Sequence, residues 1–320
     1  MDGFSENKKD EALFFLTNFG GTFPLYIRLY PQVRNLEYVQ KISKKMIYKR
    51  VGGCGNWEMD GSVGSQTAAF FESYKTEPNN FGKCYFEQNE INELVKKYND
   101  LGYQICSHAI GTRAIERILK AYEYVLLKNN NNINPLRHRI EHFEFPTIDQ
   151  VERAISKLKL IVSAQPGYAW MDENFQKAYR KYLKEEQFQR QIPLKTITKL
   201  GGIILGSSDS PVQHLNPFIQ IHGMINFPIS NESLNIYQAL RTYTFNAAYA
   251  TFEEKIRGTL EIGRNADFII LNQNPFKLNK KRIIELKVIK TYLKGKLLKK
   301  IKLNIPRILI KYLFSRKNKI

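Results

Sequence analysis

Short apolar runs alternate with stretches of helical periodicity from Leu25 to Phe252, and that alternation limits the folds open to the chain. The predicted strands are Leu25–Tyr30, Val51–Met59, Gln104–His108, Arg139–Glu144, Leu160–Gln165 and Ile203–Ser207. Predicted helices cover Leu36–Lys49, Gln88–Leu101, Arg113–Lys128, Thr147–Lys157, Pro193–Leu200 and Ile236–Phe252. A strand reached through a helix pairs parallel to its predecessor, so this order predicts βαβ units in a barrel or an open doubly wound sheet. Ile203-Ile204-Leu205 has no polar face, which suits a sheet covered on both sides.

Three residues of metal and proton chemistry stand at the ends of these runs. They are His108 in Ile105-Cys106-Ser107-His108, His142 in Arg139-Ile140-Glu141-His142, and Asp209 in Leu205-Gly206-Ser207-Ser208-Asp209. A β/α barrel collects the C-terminal ends of its strands at one rim. Neutral imidazole binds zinc-class ions, and a nearby carboxylate can take a proton from water. Taken singly, each residue also has a plainer reading. A histidine beside an apolar run is commonly a hydrogen-bonded core residue, and Asp209 between two serines suits a turn or a helix cap. His138 reads as structural, His214 and His222 as loop or helix residues, and Glu141 as a group that orients its neighbours. Gln165, Tyr168 and Trp170 follow a strand and suit either a substrate pocket or ordinary packing. Asp60, before Gly61 and Ser62, suits a loop at the barrel mouth bordering that pocket, or a helix cap.

Charge and cysteine content narrow the function classes. Of the net charge of +19, the stretch from Lys277 to Ile320 carries +15, with 16 Lys and Arg against the single acid Glu285. The remainder is an ordinary balance, and no groove-reading motif accompanies the basic residues, so nucleic acid is not an expected partner. From Ile305 onward, residues Ile305, Ile308, Leu309, Tyr312 and Leu313 fall on one face of a helix that Pro306 could open. That arrangement fits a weak contact with an anionic membrane, or a solvated lysine-rich tail. Cys54, Cys84 and Cys106 are an odd set at irregular spacing and read as free thiols. With no leader-like segment after Met1 and no apolar run long enough to span a bilayer, the expected compartment is the cytoplasm.

Six segments occur in a set order: Asp60-Gly61-Ser62-Val63-Gly64-Ser65-Gln66-Thr67-Ala68-Ala69, His108-Ala109-Ile110-Gly111, Arg137-His138-Arg139-Ile140-Glu141-His142, Ser163-Ala164-Gln165-Pro166, Gly206-Ser207-Ser208-Asp209-Ser210-Pro211, and Gly258-Thr259-Leu260-Glu261-Ile262-Gly263 with Ala266-Asp267-Phe268. Together they resemble the amidohydrolase-3 branch of the metal-dependent amidohydrolase superfamily. The resemblance implies an α/β fold, a (β/α)8 TIM-type barrel with a small flanking β-sandwich. It implies hydrolysis of non-peptide carbon–nitrogen bonds in a small-molecule amide, through water activated by a single divalent metal ion of the zinc class. Carried over by position, His108 would be the metal ligand ending the fifth strand and His142 the ligand ending the sixth. Asp209, ending the eighth, would be metal ligand and general base.

The sequence also departs from the family. Its relatives carry a His-X-His pair at the end of the first strand, whereas the first histidine here is His108. Laid on the family pattern, Met1-Asp2-Gly3 falls just after the second strand. The expectation is an incomplete barrel lacking the first two strands, followed by the C-terminal part of the sandwich. Residues 1–252 would be the barrel, 253–299 the sandwich return strands and 300–320 the basic amphipathic tail. The family's metal-bridging lysine falls at Asn56, whose amide cannot be carboxylated. In an extended strand Cys54, Asn56, Glu58 and Asp60 share one face, which makes Glu58 and Cys54 the candidate substitute ligands. Thr112 stands where the family often has Asp. The alternative is a catalytically impaired remnant or split-gene fragment that needs a complementing N-terminal chain. Unpaired strand edges would also favour a homo-oligomer.

Overall fold

A computed structural model of the chain describes residues 26–44, 46–127, 133–167, 173–229 and 231–299. Its main sheet holds β1 (Arg50–Glu58), β2 (Gln104–Ala109), β3 (Arg139–His142), β4 (Ile161–Ala164) and β5 (Ile203–Gly206), paired in that order. Every pairing is parallel, as the helical crossovers require. The helices are α1 (Leu36–Ser43), α2 (Gln88–Asp100), α3 (Thr112–Leu126), α4 (Ile148–Glu152, running on through a π turn at Arg153–Lys157), α5 (Glu173–Tyr182), α6 (Glu185–Gln189), α7 (Leu194–Lys199), α8 (Pro217–Ile225), α9 (Ile236–Thr242) and α10 (Phe245–Ala250).

Local chemistry sets several helix starts. The Asn35 side chain accepts from Tyr38 N–H before α1, and Asn216 caps α8 with Pro217 in its first turn. Reciprocal capping boxes join Thr147 to Gln150 at α4 and Asn235 to Gln238 at α9. Each such cap stabilises its helix by about 1 kcal/mol. The predicted helix over Ile236–Phe252 is divided between α9 and α10, because Thr244 leaves helical geometry at φ −120° and ψ −98°.

The two faces of the sheet differ in kind. Ile105, Ile140, Val162 and Ile204 join one apolar core with Ile115, Ile118, Val151 and Ile197 of the covering helices. The alternate positions Gln104, Cys106, His108, Arg139 and Glu141 carry polar groups on the other face, as a period of two dictates. Where the strands begin, that polar face is closed by side chains reaching to distant backbone. Gln104 Nε2 donates to Ala250 O at 2.9 Å and Arg50 Nη2 to Thr251 O at 3.0 Å. His138, fully buried, takes Ile105 N–H on Nδ1 at 3.0 Å and lies 3.0 Å from Asn99 Oδ1 through Nε2, which is the structural role expected of it.

The expected strand Leu25–Tyr30 is not part of the sheet. Leu25 lies outside the described residues, and Tyr26–Tyr30 is irregular. Side-chain ties hold this segment in place of a ladder. Arg28 pairs with Glu253, Tyr30 Oη donates to Gln104 Oε1 at 2.8 Å, and Pro31 O accepts Gly52 N–H at 2.9 Å.

A second, antiparallel sheet contains β6 (Phe268–Leu271), β7 (Val288–Leu293) and β8 (Lys296–Leu297). Lys294 and Gly295, with φ of 50° and 75°, make the left-handed turn that suits the twist of the β7–β8 hairpin. Ile269, Ile270, Val288, Ile289 and Leu297 are exposed on this sheet. Among the described residues no helix is long and apolar enough to cross a membrane. The tail positions Ile305, Ile308, Leu309, Tyr312 and Leu313, and most of the loop after Leu127, lie outside the described residues.

Candidate metal centre

β1 departs from regular geometry where the site forms. Its register against β2 shifts between Gly53 and Glu58, and Gly52, Gly53 and Gly55 all have positive φ. Gly52 cannot be replaced without strain, since a Cβ there would lie 1.9 Å from Cys106 O. This bulge breaks the alternation that would have placed Cys54, Asn56, Glu58 and Asp60 on one face. Asn56 is exposed, Cys54 half-buried and Asp60 sealed. Glu58 folds back along its own strand, where its Oε1 accepts Gly55 N–H at 2.8 Å.

His108, next to last in β2, and His142, last in the neighbouring β3, bring their rings edge to face with centroids 4.5 Å apart. One ligand atom from each of Cys54, His108 and His142 lies within 4.8 Å of the others. Both histidines are buried, and the Nδ1 atom of each has no hydrogen-bond partner. Two buried imidazoles, each with an orphaned Nδ1, and a nearby thiol are a donor set suited to a zinc-class ion. Asp209 lies outside this group. It follows β5 at φ 50°, is partly exposed, and is close enough for its charge to help raise the Cys54 thiol.

Electrostatics separates the two imidazoles. Burial opposes charge on His108, but Asp60 and Cys54 outweigh it and hold its pKa well above the ordinary value. His142 is pushed well below, first by burial and then by the charge of His108, and so stays neutral. Burial also raises the Cys54 thiol.

Asp60 organises this end of the sheet. Fully buried, its Oδ2 accepts Ala69 N–H at 2.7 Å and Gly111 N–H at 2.9 Å, while Oδ1 accepts Ile110 N–H at 3.0 Å. The same Oδ1 lies 3.4 Å from His108 Nε2, so the carboxyl group orients the ring with Nδ1 directed elsewhere. Asp60 therefore braces the backbone at this end of the sheet. Gly111 is required by the same junction, because a Cβ would meet Ala69 O at 2.2 Å. Thr112, also buried, accepts Phe71 N–H on Oγ1 at 3.0 Å.

Other candidates are dispersed. Gln165 is buried, donates to Ser163 O at 3.1 Å and interacts with the His142 ring. Tyr168 and Trp170 lie outside the described residues. Glu141 is paired with Arg139, His214 is exposed, and His222 is half-buried on α8. Sequence reasoning missed Glu144, whose carboxyl burial raises to about 7 and which accepts Tyr179 Oη–H at 2.6 Å. Its place two residues beyond His142 was the available signal. Gln220 was missed as well; its Oε1 takes Gly167 N–H at 2.8 Å and anchors the loop after β4 to α8.

Residues 45–298 match the amidohydrolase family. The chain is 27% identical over 292 residues to a Bacillus subtilis (strain 168) protein described as "Putative amidohydrolase YtcJ", covering 87% of this chain and 53% of that one. It is 25% identical over 222 residues to the N-substituted formamide deformylase of Arthrobacter pascens, covering 67% and 40%. The crystal structure of an uncharacterized metal-dependent hydrolase from Pyrococcus furiosus superposes with a TM-score of 0.68 at 29% identity, over 85% of this chain and 55% of that one. The chain thus spans about half the length of these relatives, or somewhat less.

Proposed function

The chain belongs to the amidohydrolase family, and on that premise we propose that it is a metal-dependent hydrolase of non-peptide carbon–nitrogen bonds in small amides. The observation that carries this reading is the pair of buried, unpartnered Nδ1 atoms of His108 and His142 at adjacent strand ends. These two imidazoles would hold the ion, with Asp209 or Cys54 as a third donor; Glu58 is less suited because its carboxylate serves Gly55. A zinc-class cation there supplies a Lewis acid that polarises the amide carbonyl and acidifies water. The deformylase relative, by its name, acts on N-substituted formamides, which favours a compact amide as substrate.

In this mechanism Asp209, partly exposed beyond β5, takes a proton from the attacking water and returns it to the leaving nitrogen. Asp60 fixes the His108 ring, and Gln165 steadies His142. Gln165, with Tyr168 and Trp170 nearby in sequence, borders the space for substrate. In the same reading β1 to β5 correspond to strands four to eight of a (β/α)8 barrel, residues 253–299 to part of a flanking sandwich, and 300–320 to a basic tail. The three free thiols fit a reducing cytoplasm.

Titration calorimetry with zinc tests the proposal. Wild type should take up about one ion, and the His108→Ala/His142→Ala variant should take up none. Equal uptake by both proteins would remove the assignment.

A second reading, in which a complementing chain completes the enzyme, is favoured by a groove of about 770 Å³ between α10 and the small sheet. Tyr26, Leu260, Phe268 and Ile269 line it, and β6 borders it as an edge strand among the described residues. At its wall Arg257 forms ion pairs with Glu253 at 3.7 Å and Asp267 at 4.0 Å, while Tyr243 Oη is buried without a hydrogen-bond partner. An added strand would satisfy such an edge. Coding DNA upstream of Met1 that specifies a His-X-His segment would support this reading, and its absence would count against it.

A further inference from the structure

We infer that the thiolate of Cys54 is the third ligand of the ion, giving a sulfur–nitrogen–nitrogen site that leaves the Asp209 carboxylate for proton transfer. The inference rests on the metal-dependent reading above and specifies its donor set. Four observations lead to it. The bulge in β1, formed with positive φ at Gly52, Gly53 and Gly55, presents Cys54 between Gly53 and Gly55, and a Cβ at Gly52 would clash with Cys106 O. Cys54, His108 and His142 bring ligand atoms within 4.8 Å of one another. Glu58, the other anionic candidate on β1, is engaged by Gly55 N–H at 2.8 Å. Asp209 stands outside the group.

Donor spacing supports a shared ion. With metal–sulfur bonds of about 2.3 Å and metal–nitrogen bonds of about 2.0 Å, tetrahedral ligand atoms lie roughly 3.3 to 3.5 Å apart. The 4.8 Å limit is looser by about 1.3 to 1.5 Å, a gap on the scale of a side-chain rotation. Three protein donors leave a fourth position for water or substrate, the arrangement found in catalytic zinc sites. A thiolate in the set selects zinc, cobalt or cadmium over magnesium, calcium and manganese. As the sulfur–metal bond forms, the Cys54 S–H bond breaks and its proton passes to solvent, and His108, charged in the absence of metal, gives up a ring proton to solvent as its nitrogen takes the ion.

Cobalt(II) spectroscopy of the full chain reads the donor directly. Wild type should show a sulfur-to-cobalt charge-transfer band in the near ultraviolet together with visible ligand-field bands. Cys54→Ser should lose the charge-transfer band, keep ligand-field bands from the two histidines, and bind cobalt about tenfold or more weakly. Cys106→Ser, on β2 opposite Gly52 and outside the group, should match wild type. Cobalt bound by wild type without the charge-transfer band, or a band that survives in Cys54→Ser, would overturn the sulfur ligand and spare the histidine site. Failure of wild type to bind cobalt at all would overturn both.

Discussion

The carboxyl group of Asp60 lies 3.4 Å from Nε2 of His108, and its two oxygens also hold the backbone N–H groups of Ala69, Ile110 and Gly111. One buried side chain thereby couples the loop after β1 to the end of β2 and to the ring that would bind metal. Asp60→Ala would leave three buried N–H groups unpaired, at about 1 kcal/mol or more each. Urea unfolding should show a loss of about 3 kcal/mol or more. Zinc affinity in the fraction that remains folded should fall about tenfold or more. An unchanged unfolding midpoint would contradict this account of Asp60.

Glu58 provides the opposite case. Its carboxylate accepts Gly55 N–H within the bulge and lies outside the ligand group. Glu58→Gln keeps an acceptor oxygen, so zinc affinity should stay within about twofold of wild type, since a lost metal ligand would cost far more. Calorimetry giving a tenfold loss would make Glu58 a ligand.

Asp209→Asn should separate binding from turnover. With the ion held by other side chains, zinc uptake should persist, while hydrolysis of an N-substituted formamide should slow by about 10²-fold or more through loss of the proton acceptor. Loss of zinc in step with rate would return Asp209 to the ligand set.

Stability should depend on pH through two buried groups of opposite sign. Burial lowers His138 to about 3, so in the unfolded chain it gains a proton near its ordinary value of 6.5 that the fold refuses. Its contribution is complete above about 6.5 and declines as the pH falls toward 3. Burial raises Glu144 to about 7 from an ordinary 4.5; its contribution is complete below 4.5 and is lost as the pH rises through 7. Between about 4.5 and 6.5 these two slopes oppose each other. His138→Gln removes one of them, so its urea midpoint should fall as pH rises across that window, more steeply than in wild type. Parallel profiles for the two proteins would contradict the assignment.

Most of the main sheet was legible because apolar strands and amphipathic helices each carry a period of their own. Gln104, Cys106 and His108 alternate in sequence with Ile105, Ser107 and Ala109, and in β2 all six are buried, as in a sheet covered on both sides. The bulge in β1 was not legible as alternation, since it arises from positive φ at Gly52, Gly53 and Gly55. The cage around Asp60 was hidden for another reason: its donors lie 9 to 51 residues away, and no local pattern encodes such contacts. Leu25–Tyr30 has the composition of a strand, but in Tyr26–Tyr30 the ties of Arg28 and Tyr30 to Glu253 and Gln104 replace a ladder. The resemblance carried over His108, His142 and Asp209 as the metal ligands, with Cys54 and Glu58 as substitutes; ligand atoms of His108, His142 and Cys54 lie within 4.8 Å of one another, and Asp209 lies outside that group.

X-ray absorption at the zinc edge of the loaded full-length chain tests the central claim most directly. The account predicts one zinc per chain with two imidazole ligands at about 2.0 Å and one sulfur at about 2.3 Å. A first shell of oxygen donors alone, unchanged by His108→Ala/His142→Ala, would contradict it.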